Sequence, residues 1–215
     1  MTKAYVSLML CMLLGYLSGS IHYSRCLPLL LLKKDIVTLS GDKNPGAANA
    51  FRYAGVPVGA LCLFFDLAKG FVPAYISLRV LDANWSFTAL ALASPAFGHA
   101  FSVFYRFQGG KAIAVSFGVW IALVPISKLG ILLALLLVFF STVMVILPHS
   151  LRVMLCYSIT LTLAWLAEPL LCVKIAALLL TGVIYAKHIK GYIRDERGNV
   201  SLFFLKKQVF GRNEE

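Results

Sequence analysis

The sequence predicts an all-α polytopic membrane protein of about seven transmembrane helices, within a range of five to seven. The N-terminus is expected outside and the C-terminus in the cytoplasm. Three observations lead there. The chain is 60% hydrophobic and 13% charged, with a mean hydropathy of +0.85, which a soluble domain rarely reaches. Its apolar residues run continuously instead of alternating, which excludes a transmembrane barrel. Its cations fall mostly between alternate apolar windows, on one side of the membrane.

The windows, in order, are 4–24, 53–78, 87–104, 112–125, 129–147, 153–167 and 169–186. A bilayer core asks for about 20 apolar residues per helix, so the fourth and sixth read as short spans or half-spans. Lys3 and the apolar run to Ser20 imitate a signal peptide; a retained first span fits better, because the later windows are themselves membrane segments. Between the first two windows, 33–52 is rich in Asp, Asn, Pro and Gly and reads as a turn-rich loop. A short loop carries Arg106 to Lys111, and Pro148 to Arg152 make a turn. The tail after Lys187 is basic, begins as helix and breaks at Gly198-Asn199. The expected organisation is one membrane-embedded domain, 1–215, with 187–215 as a basic cytoplasmic tail.

Charge sets the orientation. With the N-terminus outside and seven spans, fifteen Lys and Arg fall inside and four outside, as the positive-inside rule requires. The net charge of +11 therefore reads as orientation and attraction to anionic membrane lipids. Nucleic acid is not an expected partner, since no basic stripe with interleaved aromatics stands on a soluble domain. The five cysteines are scattered through apolar windows without a Cys-x-x-Cys, as small buried hydrophobes.

Gly109-Gly110-Lys111 carries the sharpest chemical signal. Paired glycines let the backbone approach an anion, and a lysine adds a point charge suited to phosphate. The motif is not a P-loop: Tyr105 stands where the first Gly belongs and Ala112 follows the lysine. What remains is an anion pocket at the start of the following helix. A membrane-entry turn would use the same residues. Asp66 and Lys69, at i and i+3 inside the second window, share a helix face and can pair. The histidines are His22, His99, His149 and His188. None sits in a metal-ligand spacing or a His-x4-Asp dyad, and no Gly-x-Ser-x-Gly elbow occurs. No metal and no cofactor are expected.

Taken in order, several segments resemble the bacterial acyl-phosphate:glycerol-3-phosphate acyltransferase family. They are Gly19-Ser20-Ile21, then Asn44-Pro45-Gly46-Ala47-Ala48-Asn49 with Phe51-Arg52, then Asp66-Leu67-Ala68-Lys69-Gly70. Gly98-His99, Gly109-Gly110-Lys111 and Ser116-Phe117-Gly118 follow, then Ser150-Leu151, and last His188, Arg194 and Gly198. Against that family the chain reads as a divergent member. Asp42-Lys43 replaces the family's Ser-Gly, Ala48 a Thr, Ser102 a Pro and Ala112 a Gly. In the C-terminal pattern, Gly191 replaces an Asn, Tyr192 an Ile and Val200 a Glu. The lost Ser and Asn serve activity in the family.

The resemblance implies acyl transfer from an acyl phosphate to the 1-hydroxyl of glycerol 3-phosphate, giving lysophosphatidic acid, at the cytoplasmic face of a bacterial inner membrane. It implies Ser20, Arg52, Lys69, His99 and His188 as catalytic residues. Asn44, Gly46, Asn49, Gly109, Gly110, Lys111, Ser150 and Arg194 would bind substrate phosphate. Among these, Lys111, Lys69 and Arg52 supply positive charge, and Asn44 and Asn49 orient hydroxyls or hold the loop. A substrate phosphate would serve as base, with His188 or His99 as the alternative. The partners implied are the two substrates, membrane lipids and the enzyme that makes acyl phosphate. Two rival classes stand beside this reading: a lipid-phosphate binder without turnover, and a small transporter of an anionic solute or lipid.

Overall fold

The computed structural model describes residues 2–194 and 199–202. Arg197, Gly198, Lys206, Lys207 and Arg212, all within the expected tail, lie outside the described residues. Four helices are long and apolar enough to cross a bilayer: α1 (Thr2–Ser20), α5 (Val56–Val80), α9 (His149–Ala167) and α10 (Leu171–Arg194, apolar through Ile189). They correspond to the first, second, sixth and seventh windows. The other three windows hold shorter helices: α6 (Thr88–Ala100), α7 (Ile113–Leu123) and α8 (Leu129–Thr142). The expected tail boundary at 187 falls inside α10.

The loop 33–52 is more ordered than its composition suggests. It follows α2 (Tyr23–Leu32) and contains α3 (Ile36–Leu39) and α4 (Ala47–Ala54). Asp35 caps α3 by accepting the Val37 N–H, and Gly46 precedes α4 in extended backbone. One feature departs from an all-helical chain. Met144–Leu147 (β1) pairs antiparallel with Asn199–Leu202 (β2), so the end of the fifth window is strand.

α6 is the centre of the bundle, with eleven of its thirteen residues buried among α1, α5, α7 and α10. Small residues make that possible. A Cβ at Gly19 would strike the Pro95 backbone, and one at Gly98 would strike the Tyr16 carbonyl, so α1 and α6 meet backbone to backbone. Gly70 and Gly118 do the same for α5 and α7. Trp120, Leu123, Tyr157, Leu180 and Ile184 fill the core between α7, α9 and α10. The outside is the reverse of a soluble surface: Met9, Leu30, Phe64, Leu135 and Leu166 are all more than 60% exposed. Such a belt suits acyl chains.

Candidate active site

A cavity of about 590 Å³ opens where α4, α5, α6, α7 and α9 converge. Its polar wall carries Asp42, Asn44, Asn49, Asp66, His99, Lys111 and His149; Leu63, Leu67, Ile113 and Phe117 form an apolar wall. Three helices begin at it, α4 through Gly46, Ala47 and Ala48, α7 through Ala112, Ile113 and Ala114, and α9 through His149. Helix N-termini favour anions. A site with one polar and one oily side suits an amphiphilic anion.

Behind the wall lies a buried relay. Asp66 and Lys69 pair at 2.9 Å with side chains 2% exposed. Asp66 also accepts the Ser24 hydroxyl at 2.5 Å, and Lys69 donates to the Ile21 carbonyl. Lys69 Nζ lies 2.9 Å from His99 Nδ1. An ammonium has only donors, so Nδ1 accepts and the His99 proton sits on Nε2. In this tautomer His99 presents an N–H toward the cavity. His188 has the opposite tautomer: its Nδ1–H donates to the Ile184 carbonyl at 2.8 Å, leaving a buried Nε2 lone pair with no partner among the described residues. His149 resembles His99, because Arg152 Nη2 lies 3.0 Å from its Nδ1.

Lys111 lines the cavity and donates to Asp42 Oδ2 at 3.0 Å, both side chains about a third exposed. Asn49 Nδ2 donates to Asp42 Oδ1 and to the Asn44 carbonyl, each at 2.9 Å, and so fixes the loop. Burial pushes the Asp42 carboxyl up, and the bonds from Asn49 and Lys111 more than offset it, leaving it below the ordinary carboxylate value. The charge of Lys111 also reaches His149 and His188. Beside them the Ser150 hydroxyl and the Arg152 Nε are buried without a partner among the described residues. Buried polar groups normally find partners, so this cluster is shaped for a polar ligand.

The family model for glycerol-3-phosphate acyltransferase matches residues 9–195. The chain belongs to this family. It is similar to the glycerol-3-phosphate acyltransferase of Shewanella woodyi, 35% identical over 90% of this chain and 92% of that one. It is 38% identical to the enzyme of that name from Maridesulfovibrio salexigens, over 53% of this chain and 57% of the relative's length. Among solved structures it resembles PlsY, an integral membrane glycerol 3-phosphate acyltransferase, in its lysophosphatidic acid form. The TM-score is 0.74 and the identity 26%, over 87% of this chain and 91% of that one. The glycerol 3-phosphate form of PlsY shares the fold, with a TM-score of 0.75 at 24% identity over 95% of this chain and 99% of that one.

Against the residues expected for a glycerol-3-phosphate acyltransferase, the structure brings Asn44, Gly46, Asn49, His99 and Lys111 into one wall. Ser150 and His188 sit just behind it, next to His149. Gly109 and Gly110 work through close approach. A Cβ on Gly109 would strike the His99 carbonyl and one on Gly110 the His99 ring. The Gly110 N–H is engaged by the His99 carbonyl at 3.1 Å, so it is not a free anion donor. Ser20 is outside the wall: its hydroxyl donates to the Tyr16 and Gly98 carbonyls at the α1–α6 contact. Arg52 is exposed on α4, its guanidinium 5.6 Å from the Tyr53 ring centre, and does not line the cavity. Lys69 does not line the cavity; it touches His99 and Asp66, which do. Arg194 ends α10, and its side chain lies outside the described residues. His149 is the residue that motif reasoning missed; its place beside Ser150 at the start of α9 was the available signal.

Proposed function

We propose that this protein is an integral membrane acyltransferase. It moves an acyl group from an acyl phosphate to the 1-hydroxyl of glycerol 3-phosphate, forming lysophosphatidic acid and inorganic phosphate. The observation that carries the reading is the cavity itself, which joins Lys111 and three helix N-termini to an apolar wall in a chain of this family. The hydroxyl oxygen attacks the acyl carbonyl carbon, the bond from that carbon to the phosphate oxygen breaks, and phosphate leaves. The donor is already activated, so positioning and charge stabilisation do most of the work. Lys111 holds a substrate phosphate. His99 and His149 offer Nε2–H donors to developing negative charge. The hydroxyl proton goes to a substrate phosphate, or to the Nε2 lone pair of His188, whose tautomer suits a base. Asn44 and Asn49 keep the loop in place, and Asp66 and Lys69 position His99. Ser20 and Arg52 act from outside the wall, Ser20 through helix packing, and Arg194 adds positive charge at the end of α10.

The same reading places about seven membrane segments, the N-terminus outside, the cavity on the cytoplasmic side of a bacterial inner membrane and residues 187–215 as a basic tail. The enzyme that makes acyl phosphate is the partner expected at that face. One observation favours a second reading, a phosphate binder with little turnover: Asp42 already occupies Lys111. The deciding experiment gives purified protein radiolabelled glycerol 3-phosphate with palmitoyl phosphate or palmitoyl thioester. Product from the acyl phosphate alone supports the proposal; product from the thioester alone refutes it. Binding of both substrates without product establishes the second reading.

A further inference from the structure

A second pocket, of about 290 Å³, lies at the end of α1 and shares no lining residue with the catalytic cavity. One loop separates the two. Its residues alternate: Asp42, Asn44 and Gly46 line the cavity, while Lys43 and Pro45 line the second pocket. His22, Arg25, Tyr105, Arg106 and Gln108 complete the polar wall. The ring of Tyr105 is clamped, stacked on His22 with centroids 4.5 Å apart and with the Arg25 guanidinium 5.3 Å from its centre. The pocket is therefore preformed.

Its charge is unbalanced. Arg25 pairs with Asp35 at 2.9 Å, but Lys43 and Arg106 form no ion pair among the described residues. Both hold left-handed backbone, φ 50° at Lys43 and φ 53° at Arg106. Glycine takes that conformation freely and a Cβ disfavours it. Two cations at strained positions around one concavity indicate a role that a neutral glycine would not fill. The surroundings are interfacial. Phe104 and Phe107 flank Arg106 at 60% and 64% exposed, and the neighbouring α2 exposes Leu29 to Leu32 before Lys33 and Lys34. At about 290 Å³ the pocket falls at the lower edge of the roughly 300–1,000 Å³ of drug-sized sites, so it fits a headgroup and not a nucleotide.

We propose that this pocket is a second anion site that takes the phosphate of a glycerophosphate ester, from an anionic lipid headgroup or from a free phosphate monoester. The exposed Phe104 and Phe107 favour the lipid source. The proposal does not depend on the acyltransferase reading, and its test measures binding only.

The variant is Lys43→Gly with Arg106→Gly in the full chain. It removes both cations and relieves both strained residues, so its melting temperature should not fall. The lipid arm counts phosphatidylglycerol retained from mixed phosphatidylcholine nanodiscs by native mass spectrometry. The free arm titrates inorganic phosphate against protein in neutral detergent. The control is Lys33→Gln with Lys34→Gln, which removes equal charge from the adjacent face. The pocket variant should lose about thirtyfold in affinity, from roughly one electrostatic increment per cation. The control should lose less than threefold. Loss in the lipid arm identifies a headgroup site, and loss in the free arm alone a soluble phosphate site. The proposal is overturned if neither arm responds, or if the control loses as much as the pocket variant.

Discussion

Asp42→Asn is the most revealing single change. The amide keeps the acceptor for Asn49 Nδ2 and the Asn44 N–H, so the loop geometry persists while the charge goes. The Lys111–Asp42 pair is about a third exposed, which limits its own worth to about 0.2–1 kcal/mol and predicts little change in stability. The effect on substrate is larger. A phosphate that takes over Lys111 leaves the Asp42 carboxylate roughly 5 Å away. With an effective dielectric near 40, and the phosphate beside Lys111 counted as one net negative charge, this repulsion costs about 1.7 kcal/mol. Adding release of the lysine gives about 2 kcal/mol, or roughly a thirtyfold lower KM for glycerol 3-phosphate. kcat should hardly move, because ground state and transition state feel the carboxylate alike. The assay is steady-state transfer from saturating acyl phosphate at two ionic strengths, and the gain should shrink at the higher one. An unchanged or raised KM would refute the reasoning that Asp42 competes with phosphate for Lys111.

Other consequences follow from the same geometry. Lys111→Ala should lower kcat/KM at least about a hundredfold while insertion and melting temperature hold; normal turnover would remove the anion pocket. Lys69→Met leaves Asp66 charged, buried and unpaired, a loss of about 3–5 kcal/mol read as a lower melting temperature, and Asp66→Leu added to it should restore most of that. Burial, with the charge of Lys69 added, pulls the His22 imidazole from 6.5 to about 4. The unfolded chain thus binds the extra proton first, so stability falls as pH drops from about 6.5 to about 4; His22→Gln should remove its share and make that limb of a melting-temperature profile shallower.

The membrane class and the four long helices were legible because an apolar run of span length has few other uses. The shorter helices were harder. α3 and α4 have four and eight residues, too few for a periodic signal, and depend on Asp35 and Gly46 at their starts. The pairing of β1 with β2 joins segments more than fifty residues apart, and no local pattern marks it. At the site, Lys111 was legible from its glycines, yet their reason was not. They admit the His99 ring and carbonyl, a contact that only the fold reveals. The lock of Asp42 on Lys111 spans 69 residues, and Arg52 and Ser20 carried family motifs to positions off the wall. The histidines looked equivalent in sequence; their partners, Lys69, Ile184 and Arg152, set which ring nitrogen of His99, His188 and His149 is engaged.

The most direct measurement follows both products at once in purified full-length protein, lysophosphatidic acid from labelled glycerol 3-phosphate and inorganic phosphate from palmitoyl phosphate. Acyl transfer predicts their release in equal amounts, abolished together in Lys111→Ala. Phosphate without lysophosphatidic acid, or neither from substrates that bind, would contradict it.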